Sequence, residues 1–560
     1  MSPTSRQAAD SPARVRPVPV LLALALLFAV LLLPAHPEEF GRSAFLKLPL
    51  ELPLVVLALL ALGPGAGRAL RLVVVAAAGL LLLLRLADIG SYLAFGRRFD
   101  PLVELHLLGD GWNLAAASVG RLEAGLVVLV TLLVFVFALA LLYRGLGGVG
   151  RLDGRARHAT GVVAGVVLVA GVATLVTDRA TADASGRHGR VQADLGHDIV
   201  ERLQRMRRSI VDQGVFVAEL ARDPLGGEPS PGFEALAGRD VVLIFVESYG
   251  RSFVDDERFR DAARERIRAL GDVVDAAGLH ARSGWLESPI RGGRSWLAHA
   301  TFASGLTIDS QARFDRLLAS RRRSLNRLFG DAGWRTAGLM PAIRLDWPEG
   351  VWYGFDEIRD ADGLGYAGEP FGWVTMPDQY TLAAFEALVR APDPTPVMAE
   401  IALISSHAPW TPLPRTVPWE SIGNGALFDG GHRFGGTTAE VWSEREQVRD
   451  HYALSLDYAL ETLGGYLERH GEDALIVIVG DHQPPSIIDG WGATADVPVH
   501  VVADDPALLE RLPAPFWSEG MLPADTLPSR PMASMRETLA RAFSTPSAAV
   551  PAGSGTTPRP

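Results

Sequence analysis

The chain contains no cysteine among its 560 residues. This absence excludes a disulfide framework, thiolate metal ligands and a cysteine nucleophile. The chain also lacks a basic tract, and its formal net charge is -11. Because nucleic-acid binding depends on clustered Lys and Arg side chains, we predict no nucleic-acid partner.

Long apolar runs are abundant, and the mean hydropathy of +0.18 is high for a soluble protein. We predict a transmembrane region over residues 1–177 with five helices, at about 18–34, 48–63, 69–86, 123–143 and 158–177. A signal peptide is the alternative for the first run. No clear small-residue cleavage site follows it and more apolar runs do, so an uncleaved anchor is the favoured interpretation.

Arginine side chains cluster in alternate segments between these runs. The clusters are Arg6, Arg14 and Arg16, then Arg68 and Arg71, then Arg144, Arg151, Arg155 and Arg157. By the positive-inside rule, this alternation predicts a cytoplasmic amino terminus. An odd number of spans then places the chain after about residue 178 outside the cytoplasm. The Ala-, Arg- and Gly-rich composition indicates a bacterium with a GC-rich genome, so we expect a multi-pass protein of a bacterial inner (cytoplasmic) membrane.

After the apolar runs, the pattern changes to strand-length segments that alternate with helical ones. We predict a juxtamembrane helix and linker at 178–237, an external α/β domain at 238–545 and a disordered tail at 546–560. The α/β domain should have a mostly parallel sheet with helices on both faces. We predict its strands at 241–246, 334–339, 396–405, 475–480 and 496–503, and a capping box of Ser443 and Glu446 at the start of its longest helix.

Two of the apolar strands end on polar side chains. The first is followed by Glu247, and the fourth by Asp481 and His482. Between them in sequence, a glycine-rich turn presents Ser295. Because open α/β sheets bind ligands at the carboxyl ends of their strands, these four side chains could bind one divalent ion and activate the serine as a nucleophile.

Each of these residues also has a simpler structural interpretation. Glu247 could lie on an exposed turn, and Asp481 could cap a helix beside a surface histidine. Ser295 could cap the helix that follows its glycine-rich turn. Ser288, beside Pro289, is a second candidate for the nucleophile.

Four short motifs carry a family resemblance. They are Phe245-Val246-Glu247-Ser248, Gly293-Arg294-Ser295, Ser406-His407-Ala408-Pro409 and Gly480-Asp481-His482. Their order, spacing and strand context resemble the membrane-anchored sulfatase-like enzymes of the alkaline phosphatase superfamily. The chain looks most like lipoteichoic acid synthases and the phosphoglycerol transferases that modify periplasmic glucans. The resemblance covers the membrane region loosely and residues 238–545 well, and it implies an alkaline phosphatase/sulfatase-like fold for the external domain.

The resemblance also implies roles for individual residues. Ser295 would be the catalytic nucleophile and a metal ligand, with Glu247, Asp481 and His482 as the other ligands. His407 would contact substrate and take part in catalysis, and the remaining substrate contacts would be Arg294, Arg344 and Trp347. The implied cofactor is one divalent metal ion, with Mn²⁺ preferred over Mg²⁺ or Zn²⁺. The related transferases usually carry threonine at the nucleophile, so serine is a departure that keeps the hydroxyl group.

The function implied is transfer of a phosphoglycerol-type headgroup from a membrane phospholipid donor to a glycan or glycolipid acceptor through a covalent serine intermediate. Two alternatives remain open from the sequence. The first is a hydrolase on the same site, either a phosphodiesterase or a sulfatase, although the absence of cysteine excludes a cysteine-derived formylglycine. The second is a non-catalytic membrane sensor.

Overall fold

The computed structural model describes residues 17–40, 44–95, 98–99, 101, 112, 120–181, 191–192, 194–227, 230–490 and 493–544. The predicted disordered tail at 546–560 lies outside these residues. The chain divides into two compact units. The first unit comprises Met1–Tyr92 and Arg97–Ser209, and the second comprises Leu93–Gly96 and Ile210–Pro560.

The first unit is built from five apolar helices. A sixth helix, Asp194–Leu220, begins in this unit and continues past residue 209 into the second. The six helices are α1 (Pro17–Leu32), α2 (Glu51–Ala61), α3 (Pro64–Phe95), α4 (Arg121–Val149), α5 (Gly154–Thr181) and α6 (Asp194–Leu220). Two short strands, β1 (Leu48–Pro49) and β2 (Val191–Gln192), pair in parallel. Buried apolar side chains from α1 to α5 form one core cluster in this unit.

The prediction of five spanning helices is wrong in number. Among the described residues, three helices are long and apolar enough to cross a membrane by length and composition, namely Pro64–Tyr92, Arg121–Val149 and Gly154–Thr177. The helices α1 and α2 are apolar but have only 16 and 11 residues. At about 1.5 Å per residue they reach about 24 Å and 17 Å, short of the roughly 30 Å hydrocarbon core.

The second unit contains one large mixed sheet. Its strands are β3 (Asp240–Val246), β4 (His280–Glu287), β5 (Arg335–Met340), β6 (Glu357–Asp360), β7 (Val397–Leu403), β10 (Ala474–Gly480), β11 (Asp496–Ala503), β12 (Ser518–Glu519) and β13 (Arg530–Pro531). The strand order is β12-β4-β11-β10-β3-β7-β5-β6, and β13 pairs with β4. The five strands from β10 to β6 run parallel, whereas β11 is antiparallel to both of its neighbours. Two further short strands, β8 (Leu413–Pro414) and β9 (Arg433–Phe434), form a separate antiparallel pair.

Helices cover both faces of this sheet, as predicted for an α/β domain. The helices of the second unit are α7 (Arg251–Asp255), α8 (Arg260–Ala276), α9 (Ser295–Ser304), α10 (Gln311–Leu318), α11 (Leu325–Asp331), α12 (Gly350–Tyr353), α13 (Asp378–Phe385), α14 (Thr438–Val441), α15 (Arg445–His470), α16 (Ser486–Asp489), α17 (Pro506–Glu510) and α18 (Ser534–Phe543). One apolar core lies under α8, α13 and α15. The other lies under α9, α10, α11 and α18. Side chains of β3 alternate between the two cores, because successive strand residues point to opposite faces.

The five predicted strands are present within two residues of their expected bounds, but β4, β6 and the two-residue strands β12 and β13 were not predicted. Strand β4 is hard to detect because Arg282 and Ser283 interrupt its apolar pattern. The predicted capping box is also wrong, since Glu444 precedes α15 and Ser443 donates a hydrogen bond to the Glu440 carbonyl. A capping box occurs one helix earlier, where Thr437 and Glu440 cap α14.

The feature that positions the site is the parallel pairing of β3 with β10. Val246 is in register with Gly480, so the two strands end at the same level of the sheet. The backbones after them come unusually close: a Cβ atom on Gly480 would lie 1.9 Å from the Tyr249 carbonyl oxygen. Only glycine permits this approach, and it brings the residues after each strand into contact.

We expect Gly480→Ala to lower the free energy of unfolding by about 3 kcal/mol or more, because the added methyl group meets backbone that cannot rotate away. Urea unfolding followed by tryptophan fluorescence measures this loss. Gly271→Ala is the matched control, since its nearest atom, the Met521 Cβ, lies 3.9 Å away. That substitution replaces glycine inside α8 and should be neutral or stabilise by up to about 1 kcal/mol. Equal unfolding midpoints for both variants would contradict the close approach.

Candidate active site

The ends of β3 and β10 bring Glu247, Asp481 and His482 together. One ligand atom from each of the three side chains lies within 4.8 Å of the others, and all three side chains are buried. Nε2 of His482 lies 3.3 Å from Oε1 of Glu247 and 3.5 Å from Oδ2 of Asp481. The sequence predicted these three residues as ligands of one metal ion. The structure brings their ligand atoms close enough together to bind one ion.

Ser295 joins this cluster as the first residue of α9. Its Oγ donates a hydrogen bond of 2.9 Å to Oε2 of Glu247 and lies 3.2 Å from Nε2 of His482. The preceding turn has three successive residues with positive φ, namely Gly292, Gly293 and Arg294. This left-handed turn starts the helix so that the serine hydroxyl faces the ends of the two strands.

Backbone hydrogen bonds orient the ligand side chains. Oδ1 of Asp481 accepts from the amides of Ser248 and His482, at 2.8 and 2.6 Å. Nδ1 of His482 lies 2.8 Å from the Gln483 carbonyl oxygen. Since a carbonyl only accepts, Nδ1 carries the proton and Nε2 faces the cluster. This arrangement is the usual way in which a metal-binding imidazole is oriented.

The electrostatics of the cluster are set by burial and by the charges that the three side chains place on one another. Burial and the negative charge of Glu247 raise the pKa of Asp481 to about 7. Burial opposes the charged form of His482, but Asp481 and Glu247 outweigh it and raise the pKa of His482 to about 9. For Glu247, burial is outweighed by the charges of His482 and His407 and by hydrogen bonds from His482 and Ser295, so its pKa is lowered.

This donor set fits a divalent cation. Two carboxylates, one imidazole nitrogen and one hydroxyl converge without solvent to screen them, and a divalent charge would balance both carboxylates. Mixed oxygen and nitrogen donors suit Mn²⁺, Mg²⁺ or Zn²⁺. Binding would displace the proton of His482, so metal affinity should fall with decreasing pH.

Gln483 ties together the three segments that build the cluster. Its side-chain carbonyl accepts from the amide and hydroxyl of Ser252, and its side-chain amide donates to the Asp496 carbonyl. Its backbone carbonyl accepts from the amide of Gly292 in the turn before Ser295. The sequence analysis did not single out Gln483, although its place directly after Asp481-His482 was a usable signal.

His407 lies beside this cluster, close enough for its charge to lower the pKa of Glu247. Its ring stacks on Trp373 at 3.8 Å between centroids and 20° between planes. Its Nδ1 lies 2.5 Å from the Ala408 carbonyl, so Nε2 is the nitrogen left to meet a substrate. Trp373 is partly exposed, in a short turn closed by two hydrogen bonds between Phe371 and Val374. The sequence analysis missed Trp373, because its distance from His407 in sequence gives no sign of the stacking.

Buried Asp378 holds the segment that leads to His407. Its Oδ1 accepts from the amides of Ile404 and Ser405 at 2.8 and 2.9 Å, and its own amide donates to Oγ of Ser405. The next residue, Ser406, donates its hydroxyl to the Glu247 carbonyl at 2.6 Å. The position of His407 is therefore fixed from both α13 and β3.

The three remaining predicted substrate contacts have different surroundings. Arg294 precedes Ser295 and is buried, and burial lowers its pKa to about 10 against the opposing charge of Asp309. Arg344 is exposed on the turn after β5. The ring contacts described for Trp347 are with Tyr353 and Phe355, at 5.4 and 6.3 Å. The roles of Arg344 and Trp347 as substrate contacts stay predictions, and the tryptophan that stacks on His407 is Trp373.

The second candidate for the nucleophile, Ser288, is buried and donates its hydroxyl to the Asp481 carbonyl at 2.6 Å. Its amide also donates to the Ala495 carbonyl. These bonds anchor the end of β4 to the segment after β10. Ser288 therefore supports the backbone of the site, and Ser295 is the serine whose hydroxyl faces the cluster.

Neither a protein-family model nor a curated protein matches this chain. Similar solved structures exist. The lipoteichoic acid synthase LtaP from Listeria monocytogenes is 12% identical over 57% of this chain and 76% of that chain, with a TM-score of 0.37. The integral membrane lipooligosaccharide phosphoethanolamine transferase A from Neisseria meningitidis is 13% identical over 93% of this chain and 95% of that chain, with a TM-score of 0.44. The C-terminal periplasmic domain of EcEptC from Escherichia coli is 15% identical over 56% and 82%, with a TM-score of 0.34.

At these identities and scores, the argument for function comes from the residues of the site.

We expect Mn²⁺ to raise the thermal unfolding midpoint of the full chain in detergent. A ligand specific for the folded state stabilises it by about 2.7 kcal/mol at one hundred times its dissociation constant. Asp481→Asn should abolish most of this increase, because it removes a negative ligand while its Oδ1 can still accept the two amide hydrogen bonds. Asp505→Asn, a change at the cap of α17, should keep the increase. An unchanged increase in Asp481→Asn would exclude this cluster as the metal site.

A second expectation concerns Asp378, whose pKa is raised to about 6, mainly by burial. Its folded-state pKa lies above the unfolded value, so its contribution to stability is full below about pH 4 and is lost as pH rises through 6. Relative to wild type, Asp378→Asn should gain roughly 2 kcal/mol in free energy of unfolding between pH 4 and pH 7. Urea unfolding of both proteins at several pH values measures the difference. A difference that does not vary with pH would show that Asp378 does not titrate in this range.

Proposed function

We propose that the protein is a membrane-bound, metal-dependent phosphotransferase that uses Ser295 as its nucleophile. The observation that carries the proposal is the convergence of one hydroxyl, two carboxylates and one imidazole at the ends of β3 and β10. The serine hydroxyl lies within hydrogen-bond distance of both Glu247 and His482. If Ser295 only capped a helix, its position would not require two buried carboxylates beside its hydroxyl.

The substrate proposed is a phospholipid with a phosphoglycerol-type headgroup, and the acceptor is an envelope glycan or glycolipid. A bound divalent ion, with Mn²⁺ as the favoured metal, lowers the pKa of a hydroxyl and neutralises charge on a phosphoryl group. Oγ of Ser295 gives up its proton and forms a bond to phosphorus, and the bond from phosphorus to the diacylglycerol oxygen breaks as that oxygen takes up a proton. The acceptor hydroxyl then gives up its proton and forms its own bond to phosphorus, and the bond from phosphorus to Oγ breaks as Oγ is protonated again.

Side chains around Ser295 are placed to assist this exchange. Nε2 of His407 can donate a proton to the leaving oxygen or a hydrogen bond to a phosphoryl oxygen. Arg294 occupies the capping position of α9, and its carbonyl oxygen accepts a hydrogen bond from the amide of Leu297 at 2.9 Å. The amides of Ser295 and Trp296 at the start of the helix can bind an anionic phosphoryl oxygen.

Three spans give the same membrane orientation as the five spans predicted from the sequence. With spans only at α3, α4 and α5, the segment of Arg68 and Arg71 and the segment of Arg151, Arg155 and Arg157 still fall on one side of the membrane. The positive-inside rule makes that side cytoplasmic. The chain after α5 then lies outside, where an enzyme tethered to the bilayer meets lipid headgroups at high effective concentration.

The proposal predicts a covalent adduct on Ser295. The full chain in detergent is incubated with Mn²⁺ and phosphatidylglycerol, and its intact mass is measured. Wild type should gain one glycerophosphoryl group, whereas Ser295→Ala should gain none. The matched control is Ser310→Ala, which removes a hydroxyl just before α10 and should label like wild type.

Release of diacylglycerol is measured in the same samples, with and without a glycan acceptor. Lipid turnover by wild type alone, without an adduct and without transfer to the acceptor, would favour the hydrolase. The absence of both adduct and turnover for lipids of every headgroup would contradict the proposal.

A further inference from the structure

Strand β7 carries a carboxylate in the interior of the sheet. Glu400 lies at the centre of the strand between apolar neighbours, and it is fully buried. It is in register with Leu243 of β3 on one side and Gly338 of β5 on the other. Because burying a carboxylate is unfavourable unless it is well paired, this residue should serve a purpose that an apolar side chain could not.

The partner of Glu400 belongs to the helix that carries the proposed nucleophile. Nδ1 of His299 lies 2.8 Å from Oε1 of Glu400, and both side chains are largely buried. His299 is four residues after Ser295 in α9, so the two side chains lie on the same face of the helix, one turn apart. The bond therefore connects the first turns of α9 to the centre of the sheet.

Two further contacts hold His299 in place. The ring of Phe245 stacks against it at 3.7 Å between centroids and 21° between planes. Phe245 lies near the end of β3, two residues before Glu247 in the turn that follows the strand. On the other side of Glu400, Nδ2 of Asn326 in α11 donates to Oε2 at 3.0 Å. One carboxylate thus links α9, α11 and the sheet.

The start of α9 needs such an anchor. Its capping residue is Arg294, whose guanidinium cannot accept a hydrogen bond from the helix amides, and Ser295 must keep its hydroxyl directed at Glu247 and His482. Apolar packing alone is tolerant of small rotations of a helix, whereas a buried hydrogen bond fixes both distance and direction.

We propose that Glu400 and His299, supported by Asn326, are positioning residues that fix α9 on the sheet so that Ser295 lies at the metal cluster. The turnover part of this inference rests on the proposed function, but the positioning itself does not.

The test compares three variants of the full chain. Glu400→Leu removes the acceptor of His299. Glu400→Leu/His299→Leu replaces both partners by apolar side chains, a change that commonly restores stability when a buried polar pair is removed whole. Glu400→Gln keeps an acceptor for His299. Its amide can be accommodated, because Oδ1 of Asn326 has no partner among the described residues and can accept after a turn of the amide.

Hydrogen exchange of the metal-free proteins measures positioning without activity. Amides of residues 297–302 in α9 should exchange roughly tenfold faster in Glu400→Leu and in the double variant, and at the wild-type rate in Glu400→Gln. Tyr466→Phe is the matched control. It removes a buried hydrogen bond to a carboxylate, that of Glu386, and should leave exchange in α9 unchanged.

Turnover of bis(p-nitrophenyl) phosphate with saturating Mn²⁺ gives the second readout. Both leucine variants should lose roughly a hundredfold in kcat with little change in KM or in Mn²⁺ affinity by calorimetry, because the reacting atoms are displaced while the other ligands stay. Glu400→Gln should retain most of the activity.

Recovery of both thermal stability and wild-type α9 exchange in the double variant would overturn the proposal, since packing alone would then place the helix. Unchanged exchange in Glu400→Leu would overturn it equally. If the wild-type protein hydrolyses no phosphodiester, the proposed function fails, and the exchange data alone decide whether the pair positions α9.

Discussion

The site depends on the parallel pairing of β3 with β10. Because Val246 and Gly480 are in register, the two strands end together, and the residues that follow them share one small volume. The backbone approach at Gly480 makes that volume smaller than side-chain packing alone would allow. Gln483 then fastens the turn before Ser295 to the same point. A shift of one residue in this register would separate Glu247 from Asp481.

Two buried carboxylates are the second constraint on this unit. Glu400 points toward the core under α9, α10, α11 and α18, because it is in register with Leu243 of that core. Glu247 meets the same layer of helices through the hydrogen bond that it accepts from Ser295 of α9. Each carboxylate meets an imidazole, His482 in one case and His299 in the other. The two pairs differ in what surrounds them. Asp481 and Ser295 complete the first as a set of metal donors, whereas Phe245 and Asn326 complete the second as an anchor.

Much of this arrangement could be predicted from the sequence, because its signals are local. Apolar runs predicted the central strands, and polar residues directly after two of them predicted the metal ligands. Other features depend on residues distant in sequence and could not be predicted. Glu400 and His299 are 101 residues apart, and the stacking of Trp373 on His407 depends on how two loops fold. Apolar runs also overestimate helices: the run at 48–63 contains a helix of only 11 residues, which ends just before Gly63 and Pro64.

The residue type at position 295 determines how freely its hydroxyl group can rotate. Threonine carries a methyl group on Cβ that restricts rotation about χ1, whereas serine can adopt any of three staggered rotamers. In this structure the hydrogen bond to Glu247 and the proximity of His482 select one of them. If Ser295 lost the contacts with Glu247 and His482 in the absence of substrate, its hydroxyl would be distributed among several rotamers. For the proposed nucleophile, the fraction of time spent in the reactive rotamer therefore depends on side-chain entropy and on the group that occupies the cluster.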